Sequence, residues 1–216
     1  MVERKVLMNM NVKQGSIGDF ESAAKSGAIP QYDLVEMYKR DVLPLQMEEM
    51  RESAHRVMRF DTLYLTAGTQ PYSQALSILA TPADRVVFIA TDDATCRASV
   101  AKAVSLTGLP PDGFEEHVFP EPFDAAAMVK EIYCHVVTQG GRAAMDITSG
   151  RKVMAAALSS LASLLELPQF YLSGRYLHGG FAVDVERLSV PNVTAIVRHM
   201  RELDEGTESD EMGGEA

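Results

Sequence analysis

The residues best suited to chemistry in this sequence form one short segment, Asp146-Ile147-Thr148-Ser149-Gly150-Arg151-Lys152. An apolar stretch ends there in two hydroxyl residues, which are followed by a glycine and by two adjacent cations that open a helical pattern. Cations at a helix N-terminus oppose the macrodipole, at about 0.3–1 kcal/mol each. An anion between them would offset that cost, because arginine binds phosphate through two hydrogen bonds and lysine as a point charge. The segment therefore predicts a phosphate site, in which Asp146 holds the loop or a ligand hydroxyl; the alternative is a basic pair that only meets water.

A second candidate is the segment Ala67-Gly68-Thr69-Gln70-Pro71-Tyr72-Ser73. Gly68 lets the backbone approach a ligand closely or take a positive φ. Pro71 suits the first turn of a helix, where free amides can point at an anion. Further side-chain donors are Thr69, Gln70 and Ser73. Taken alone, the segment also fits an ordinary strand-to-helix turn with a capping threonine.

Neither segment carries a standard nucleotide-binding fingerprint. The Gly-x-x-x-x-Gly-Lys spacing of a Walker A loop is absent, and so is the Gly-x-Gly-x-x-Gly of dinucleotide-binding folds. Cys96 and Cys134 have no ligand-like spacing and are expected to be reduced packing residues. His117 and His135 are expected to be structural or exposed, and no cluster of histidines or carboxylates indicates a metal site. We therefore expect no metal and no cofactor.

From Asp61 onward, short apolar runs alternate with helical patterns of about ten to fifteen residues, which indicates βαβ units. This alternation predicts a Rossmann-like α/β fold, with a mostly parallel sheet and helices on both faces. The expected strands are Thr62–Thr66, Arg85–Ala90, His117–Phe119, Arg142–Thr148, Gln169–Leu172 and a short one near Arg187–Leu188. The expected helices are Tyr72–Ala80, Asp93–Thr107, Asp124–Gln139, Arg151–Leu165 and Val193–Leu203.

Ligands of such folds bind beyond the carboxyl ends of the parallel strands. The same rule places both segments at one edge of the sheet. Thr91 and Asp92 end another strand at that edge, and one of them is expected to cap the helix that follows. The sequence therefore predicts that the three strand ends line one site.

The chain is expected to have three regions. Residues 1–60 form an N-terminal arm and helical segment, where Val6–Val12 is a short strand or arm. Leu34–Met58 carries a loose apolar stripe typical of a helix, which Pro44 kinks or splits. Residues 61–200 form the Rossmann-like domain, and the acidic tail 201–216 is expected to be disordered.

The overall charge restricts the possible partners. The net charge is −10 and the isoelectric point is near 5.0, which argues against non-specific binding of duplex DNA because that requires a broad basic face. A small nucleotide held by a few local donors remains compatible with this charge. No run of about 18 apolar residues is present, so no membrane span is expected. Residues 1–12 lack the features of a signal peptide, and a cytoplasmic location is expected.

The two segments, in this order, resemble the CARF family, the CRISPR-associated Rossmann-fold proteins. The resemblance covers about Asp61–Tyr176 and depends on Leu63–Ser73, on Arg85–Thr91 and on the run from Asp146 to Met154. The last run is similar to the family pattern Asp-x-Thr-Gly-Gly-Thr/Arg-Lys-x-Met, except that Ser149 replaces the first of the two glycines.

This resemblance implies a receptor for cyclic oligoadenylate (cA4 or cA6), the second messenger of type III CRISPR complexes. It also implies a homodimer whose two-fold cleft holds the ring. Thr91 and Asp92 would lie near the adenine or ribose. The residues implied to line the cleft are Gly68, Thr69, Gln70, Thr148, Ser149, Gly150, Arg151 and Lys152.

Three functions stay open at this point. The chain is a sensor that acts on a separate effector chain, a stand-alone ring nuclease, or a nucleotide-binding α/β protein unrelated to CRISPR. Ring cleavage would need no metal, because a ribose 2′-hydroxyl can attack its own phosphate when it is held in line beside a cation. The residues expected to act in such a nuclease are Lys152, Arg151, Ser149 and Thr69.

Overall fold

The computed structural model describes residues 17–55, 58–176 and 182–191 of the chain. The expected elements Val6–Val12 and Val193–Leu203 and the acidic tail lie outside these ranges. Within them, no helix has the length and apolar character that crossing a membrane requires.

One six-stranded sheet organises the described residues, in the order β3-β2-β1-β4-β5-β6. The first five strands run parallel, and β6 pairs antiparallel with β5. Strand order reverses between β1 and β4, so this pair is the topological switch point at which ligands of open α/β sheets bind. The strands are β1 Phe60–Thr66, β2 Ala83–Thr91, β3 Phe114–Phe119, β4 Ala143–Asp146, β5 Gln169–Tyr176 and β6 Ala182–Val190.

Helices cover both faces of the sheet, which explains why β1, β2 and β4 are almost continuously buried. Successive side chains of a strand point to opposite faces. Tyr64 therefore packs with α6 and α7, whereas Leu65 packs with α4 and α5. The helices are α4 Pro71–Ala80, α5 Ala94–Thr107, α6 Ala125–Gln139 and α7 Lys152–Leu164.

The N-terminal helices pack on the sheet through a core of their own. These helices are α1 (residues 17–26), α2 Gln31–Met37, the π-helical turn Tyr38–Val42 and α3 Leu43–Ala54. Phe20 and Tyr38 are fully buried here, against Leu76 of α4 and Leu172 of β5. The structure thus joins this segment to the α4 side of the Rossmann-like layer.

Pro44 lies in the first turn of α3, directly after the π-helical turn. A proline has no N–H to donate and its ring crowds the preceding turn. The wider π-helical turn accommodates both effects. The predicted helix is therefore divided at this turn, but the backbone stays right-handed helical at Tyr38 and Leu43, the residues that follow α2 and the π-helical turn. The helix ends at Ala54, earlier than the predicted Met58.

The predicted fold class is confirmed, and most predicted helices agree with the observed ones to within one residue. The differences from the prediction concern one helix cap and the lengths of several strands. Asp93 caps α5 by accepting a hydrogen bond from the amide of Cys96 (2.9 Å), so the prediction of Thr91 or Asp92 as the cap was wrong. Strand β4 is shorter than predicted. The edge strands β3 and β6, and β5 beside β6, are longer, because strands with polar residues on one face give a weak apolar signal.

Candidate functional site

The two predicted segments lie in direct backbone contact at the switch point. A Cβ added to Gly68 would lie 2.8 Å from the backbone nitrogen of Gly150, closer than real Cβ atoms come. Gly150 has a φ of +83°, and a Cβ there would lie 2.8 Å from the Cβ of Thr66. Both glycines are therefore required by the close approach of the β1–α4 and β4–α7 loops, and Gly150 also by its left-handed conformation.

Hydroxyl groups hold the two loops together. The side chain of Thr66 donates to the carbonyl oxygen of Ser149. The hydroxyls of Ser73 and Ser149 lie 2.9 Å apart, which ties the start of α4 to the β4–α7 loop. Ser149 is buried, so the side chain that departs from the glycine of the CARF pattern fills this position and gains a hydrogen bond.

Thr148 connects the second loop to the neighbouring strand. Its hydroxyl accepts a hydrogen bond from the amide of Leu172 at 2.8 Å, and its own amide donates to Oδ1 of Asp146 at 2.9 Å. Three of the predicted binding hydroxyls, those of Ser73, Thr148 and Ser149, are thus engaged within the protein. Their first role is to fix the shape of the loops.

Gln74 supports the β1–α4 loop through hydrogen bonds and was not among the residues predicted from the sequence. It is fully buried on α4, and its Nε2 donates to the carbonyl oxygen of Gly68 and to the hydroxyl of Ser99, both at 2.8 Å. The thiol of Cys96 lies 3.5 Å from the carbonyl oxygen of Ala67. A glutamine on the inward face of an apolar helix was the signal that could have identified this support.

Asp146 is fully buried at the end of β4. Burial raises the pKa of its carboxyl group to about 6, although hydrogen bonding from Thr148 and the charge of Arg187 oppose the rise. Its Oδ2 has no hydrogen-bond partner among the described residues. Asp146 therefore serves to hold the β4–α7 loop through the amide of Thr148, which is the first of the two roles that the sequence suggested.

The helices α4 and α7 begin at the two contacting loops with free amides. Neither Gln70 nor Arg151 makes a side-chain cap, whereas Asp93 and Asp124 cap α5 and α6. The first amides of a helix have no intrahelical acceptor and carry a partial positive charge. Two such ends at one switch point offer a group of amide donors of the kind that suits an anion.

The cations of the second loop are arranged differently from each other. Lys152 is exposed at the first position of α7, with no ion pair in the part of the chain that the structure describes. Arg151 is also exposed, and its Nη2 lies 2.6 Å from Oε1 of Glu121 while its Nη1 donates to Oε2 at 3.0 Å. Lys152 is therefore available to a ligand, and Arg151 is available once it leaves Glu121.

The other predicted residues occupy different surroundings. Thr69 and Gln70 are exposed on the first loop. The ring of Tyr72 lies 5.4 Å from that of Tyr38, so it contributes to packing of the N-terminal helices. Thr91 is buried at the end of β2, and Asp92 is exposed beside it.

The surfaces of the loops expose cations and amides, which favour an anionic ligand over a metal ion. Among the described residues, three side chains that could hold a metal together lie elsewhere, on β3 and α6: Glu115, His117 and His135.

Comparison with known proteins finds similarity at the level of solved structures. No protein-family model and no curated protein matches the chain. Can2 from Sulfobacillus thermosulfidooxidans, in complex with cyclic tetra-adenylate, is similar at 21% identity and a TM-score of 0.46, over 59% of this chain and 37% of that one. Csm6 of Enterococcus italicus, bound to cyclic hexa-2′-fluoro-hexa-dAMP, is similar at 16% identity and a TM-score of 0.42, over 54% and 34%.

The chain thus spans little more than a third of the length of these two proteins. The Rossmann-like fold that the sequence resemblance implies is the fold observed. At this level of similarity, the site must be judged by its own geometry.

Replacing Gly150 by alanine is expected to destabilise the protein more than the same change at Gly108. Both glycines have positive φ, but only Gly150 meets a neighbour, since nothing lies within 4 Å of a Cβ on Gly108. Gly108→Ala should cost about 1–2 kcal/mol, the left-handed penalty for an L-residue. Gly68→Ala, whose cost comes from the contact with Gly150, should also lower stability. Urea unfolding of the three variants measures the difference, and equal losses at Gly108 and Gly150 would contradict the loop contact.

Asp146→Asn is expected to remove a pH dependence of stability. The folded-state pKa of Asp146, about 6, exceeds the ordinary value of 3.8. The preference of the folded state for the protonated carboxyl therefore contributes stability that is fully present below pH 3.8 and is lost as pH rises through about 6. Asparagine stays neutral and keeps an acceptor for Thr148. The free energy of unfolding of the variant should therefore increase relative to that of the wild type as pH rises. Urea unfolding at about pH 5 and about pH 8 tests this, with Asp92→Asn as the control for loss of an exposed carboxylate; parallel profiles would refute it.

Proposed function

We propose that this chain is a CARF-type receptor for a cyclic oligoadenylate, cA4 or cA6, in type III CRISPR defence, and that it signals to a separate effector chain. The observation that carries the proposal is the meeting of two uncapped helix N-termini, α4 and α7, at the switch point, with Lys152 exposed beside them. The resemblance of the two loops to the CARF pattern adds the ligand class. The amides and Lys152 would bind phosphate groups of the ring.

The negative net charge is compatible with such a ligand. A cyclic oligoadenylate carries one phosphate charge per nucleotide, and a local concentration of donors is sufficient to attract it. Glu121 partly neutralises the site, since it pairs with Arg151. A phosphate that approaches Arg151 would exchange one bidentate partner for another, and an exposed pair of this kind contributes only about 0–1 kcal/mol to stability.

A homodimer would complete the site, because one copy offers two helix ends to a ring with two-fold symmetry. The groove between α6 and α7 is a suitable contact surface for a second copy. It is lined almost entirely by apolar atoms, including those of Val129, Tyr133 and Leu164. Leu164 is 68% exposed and Tyr133 is 42% exposed. Covering these side chains would remove apolar surface from water.

Ring cleavage is the second candidate, and the exposure of Lys152 favours it. In-line attack by a ribose 2′-hydroxyl needs a fixed geometry and a cation near the phosphate. Lys152 meets the second requirement. The hydroxyl of Ser149 is already bonded to that of Ser73, so it would act by shaping the loop. A nucleotide-binding role outside CRISPR defence is the third candidate.

Lys152→Ala is expected to weaken binding of cA4 or cA6 at least tenfold, which corresponds to about 1.4 kcal/mol. Removal of one of the few cations facing the ligand explains the loss. Calorimetry with each ring measures it, and Lys102→Ala, an exposed lysine on α5, is the matched control. Glu121→Gln should bind more tightly than wild type, because Arg151 loses its competing carboxylate.

Chromatography of the ring after incubation with the protein separates the three functions. Intact ring with tight binding supports the receptor. Linear or cyclic-phosphate products support the nuclease, with Lys152→Ala slowing their formation. The absence of binding to both rings would overturn both proposals and leave the third candidate.

Leu164→Glu combined with Tyr133→Glu is expected to convert a dimer into a monomer. The two charges would have to be buried against a second copy of the same surface, which costs several kcal/mol per unpaired charge. Sedimentation analysis measures the mass, with Tyr32→Glu as the control, because Tyr32 is 74% exposed on α2 and lies outside the groove. A monomeric wild type, or a variant that stays dimeric, would contradict this interface.

A further inference from the structure

Two histidines and a glutamate meet between the edge strand β3 and helix α6, away from the switch-point loops. Oε1 of Glu115 lies 2.8 Å from Nε2 of His117 and 2.8 Å from Nε2 of His135. Glu115 and His117 are two residues apart on β3, so they share the face that α6 covers. Their ligand atoms and that of His135 all lie within 4.8 Å of one another. Two imidazole nitrogens thus point at one carboxylate oxygen.

The opposite nitrogen of each imidazole has its own partner. Nδ1 of His117 lies 2.6 Å from Oε1 of Glu131, and Nδ1 of His135 lies 2.9 Å from the hydroxyl of Tyr64. Metal-binding histidines characteristically have such a partner on the second nitrogen, since it fixes the ring orientation and raises the basicity of the ligand nitrogen. The arrangement therefore resembles a set of three ligands with outer partners already in place.

The cluster is partly shielded but open on one side. The side chains of His117 and His135 are 16% and 14% exposed, and that of Glu115 is 34% exposed. Arg85 approaches the other oxygen of Glu115, Oε2, at 3.7 Å. This leaves Oε1 as the ligand oxygen and a solvent side for a further ligand.

We propose that Glu115, His117 and His135 form a binding site for a divalent transition-metal ion of the zinc class, which joins edge strand β3 to helix α6. Two imidazole nitrogens and one carboxylate oxygen suit zinc, and water from the open side would complete a tetrahedron. Metal–ligand bonds of about 2.0–2.1 Å place tetrahedral ligand atoms about 3.3 Å apart. The two 2.8 Å contacts therefore need to open by roughly half an ångström, which is a side-chain adjustment.

This inference is independent of the proposed receptor function. The three ligands come from Phe114–Phe119 and Ala125–Gln139, and the loop between these two elements contains Glu121, the partner of Arg151. An ion would make the packing of the edge strand on α6 dependent on metal. The alternative is a hydrogen-bonded network in which protons bridge the same groups.

Zinc binding by the full-length chain tests the proposal. After removal of metals by a chelator, titration with zinc against a chromophoric chelator should give one ion per chain. Loss of a partner on the second nitrogen of a ligand histidine typically lowers metal affinity about 10- to 100-fold, and Glu131→Gln should lower the zinc affinity by this amount. His117→Gln and His135→Gln each remove a ligand and should lower the zinc affinity further. His55→Gln, an exposed histidine outside the cluster, should bind as the wild type does.

A cobalt titration and a melting curve distinguish this metal site from a proton-bridged network and from a thiolate site. Cobalt in a site with two imidazoles and a carboxylate should give a tetrahedral visible spectrum without a thiolate charge-transfer band. Zinc should raise the melting temperature of the wild type and of Cys134→Ser, but not that of Glu115→Gln. Absence of stoichiometric zinc binding, binding that survives both histidine variants, or loss of binding in Cys134→Ser would each overturn the proposal.

Discussion

The close contact of Gly68 with Gly150 is the constraint on which the candidate site depends. Strands β1 and β4 are neighbours, and the strand order reverses between them. The helices that follow them pack on opposite faces of the sheet. Only residues without a Cβ allow the two backbones to approach this closely. The consequence is that α4 and α7, which cover different faces, begin next to each other. Two uncapped helix N-termini are thus neighbours, although the helices are far apart in sequence.

This constraint also explains why four hydroxyl side chains at the loops are engaged within the protein. Thr66, Ser73, Thr148 and Ser149 bind backbone or one another, because two loops in van der Waals contact must satisfy their polar atoms locally. Asp146 is fully buried as well: its Oδ1 accepts the amide of Thr148, although desolvation raises its pKa. In the proposed receptor, the backbone amides and Lys152 would recognise the ligand, and the hydroxyl residues would hold these donors in place.

The sequence allowed the fold class and the two loops to be predicted, since apolar strands and glycine-containing turns are local signals. The glutamine on the inward face of α4 was a local signal for a buried support, but its partners Gly68 and Ser99 could not be predicted, because they lie on other elements. Strand β6 was predicted only as Arg187–Leu188, and its antiparallel pairing with β5 depends on register that no local pattern encodes. His117 and His135 looked unrelated, because their separation on the chain hides a contact that exists only when α6 packs on β3.

The ion pair between Arg151 and Glu121 connects the β4–α7 loop to the loop that follows the edge strand β3. Glu121 follows the edge strand that carries Glu115 and His117, and its carboxylate holds Arg151 by two hydrogen bonds at the start of α7. Because the pair is exposed, its contribution to stability is small, about 0–1 kcal/mol, and an arriving phosphate can replace the carboxylate at little cost. A phosphate bound there would release the β3–α6 loop from α7, while Lys152 and the helix amides stay in place. In the proposed receptor, Arg151 would therefore transmit occupancy of the site to the edge strand β3, whereas Lys152 would attract the ligand in both states.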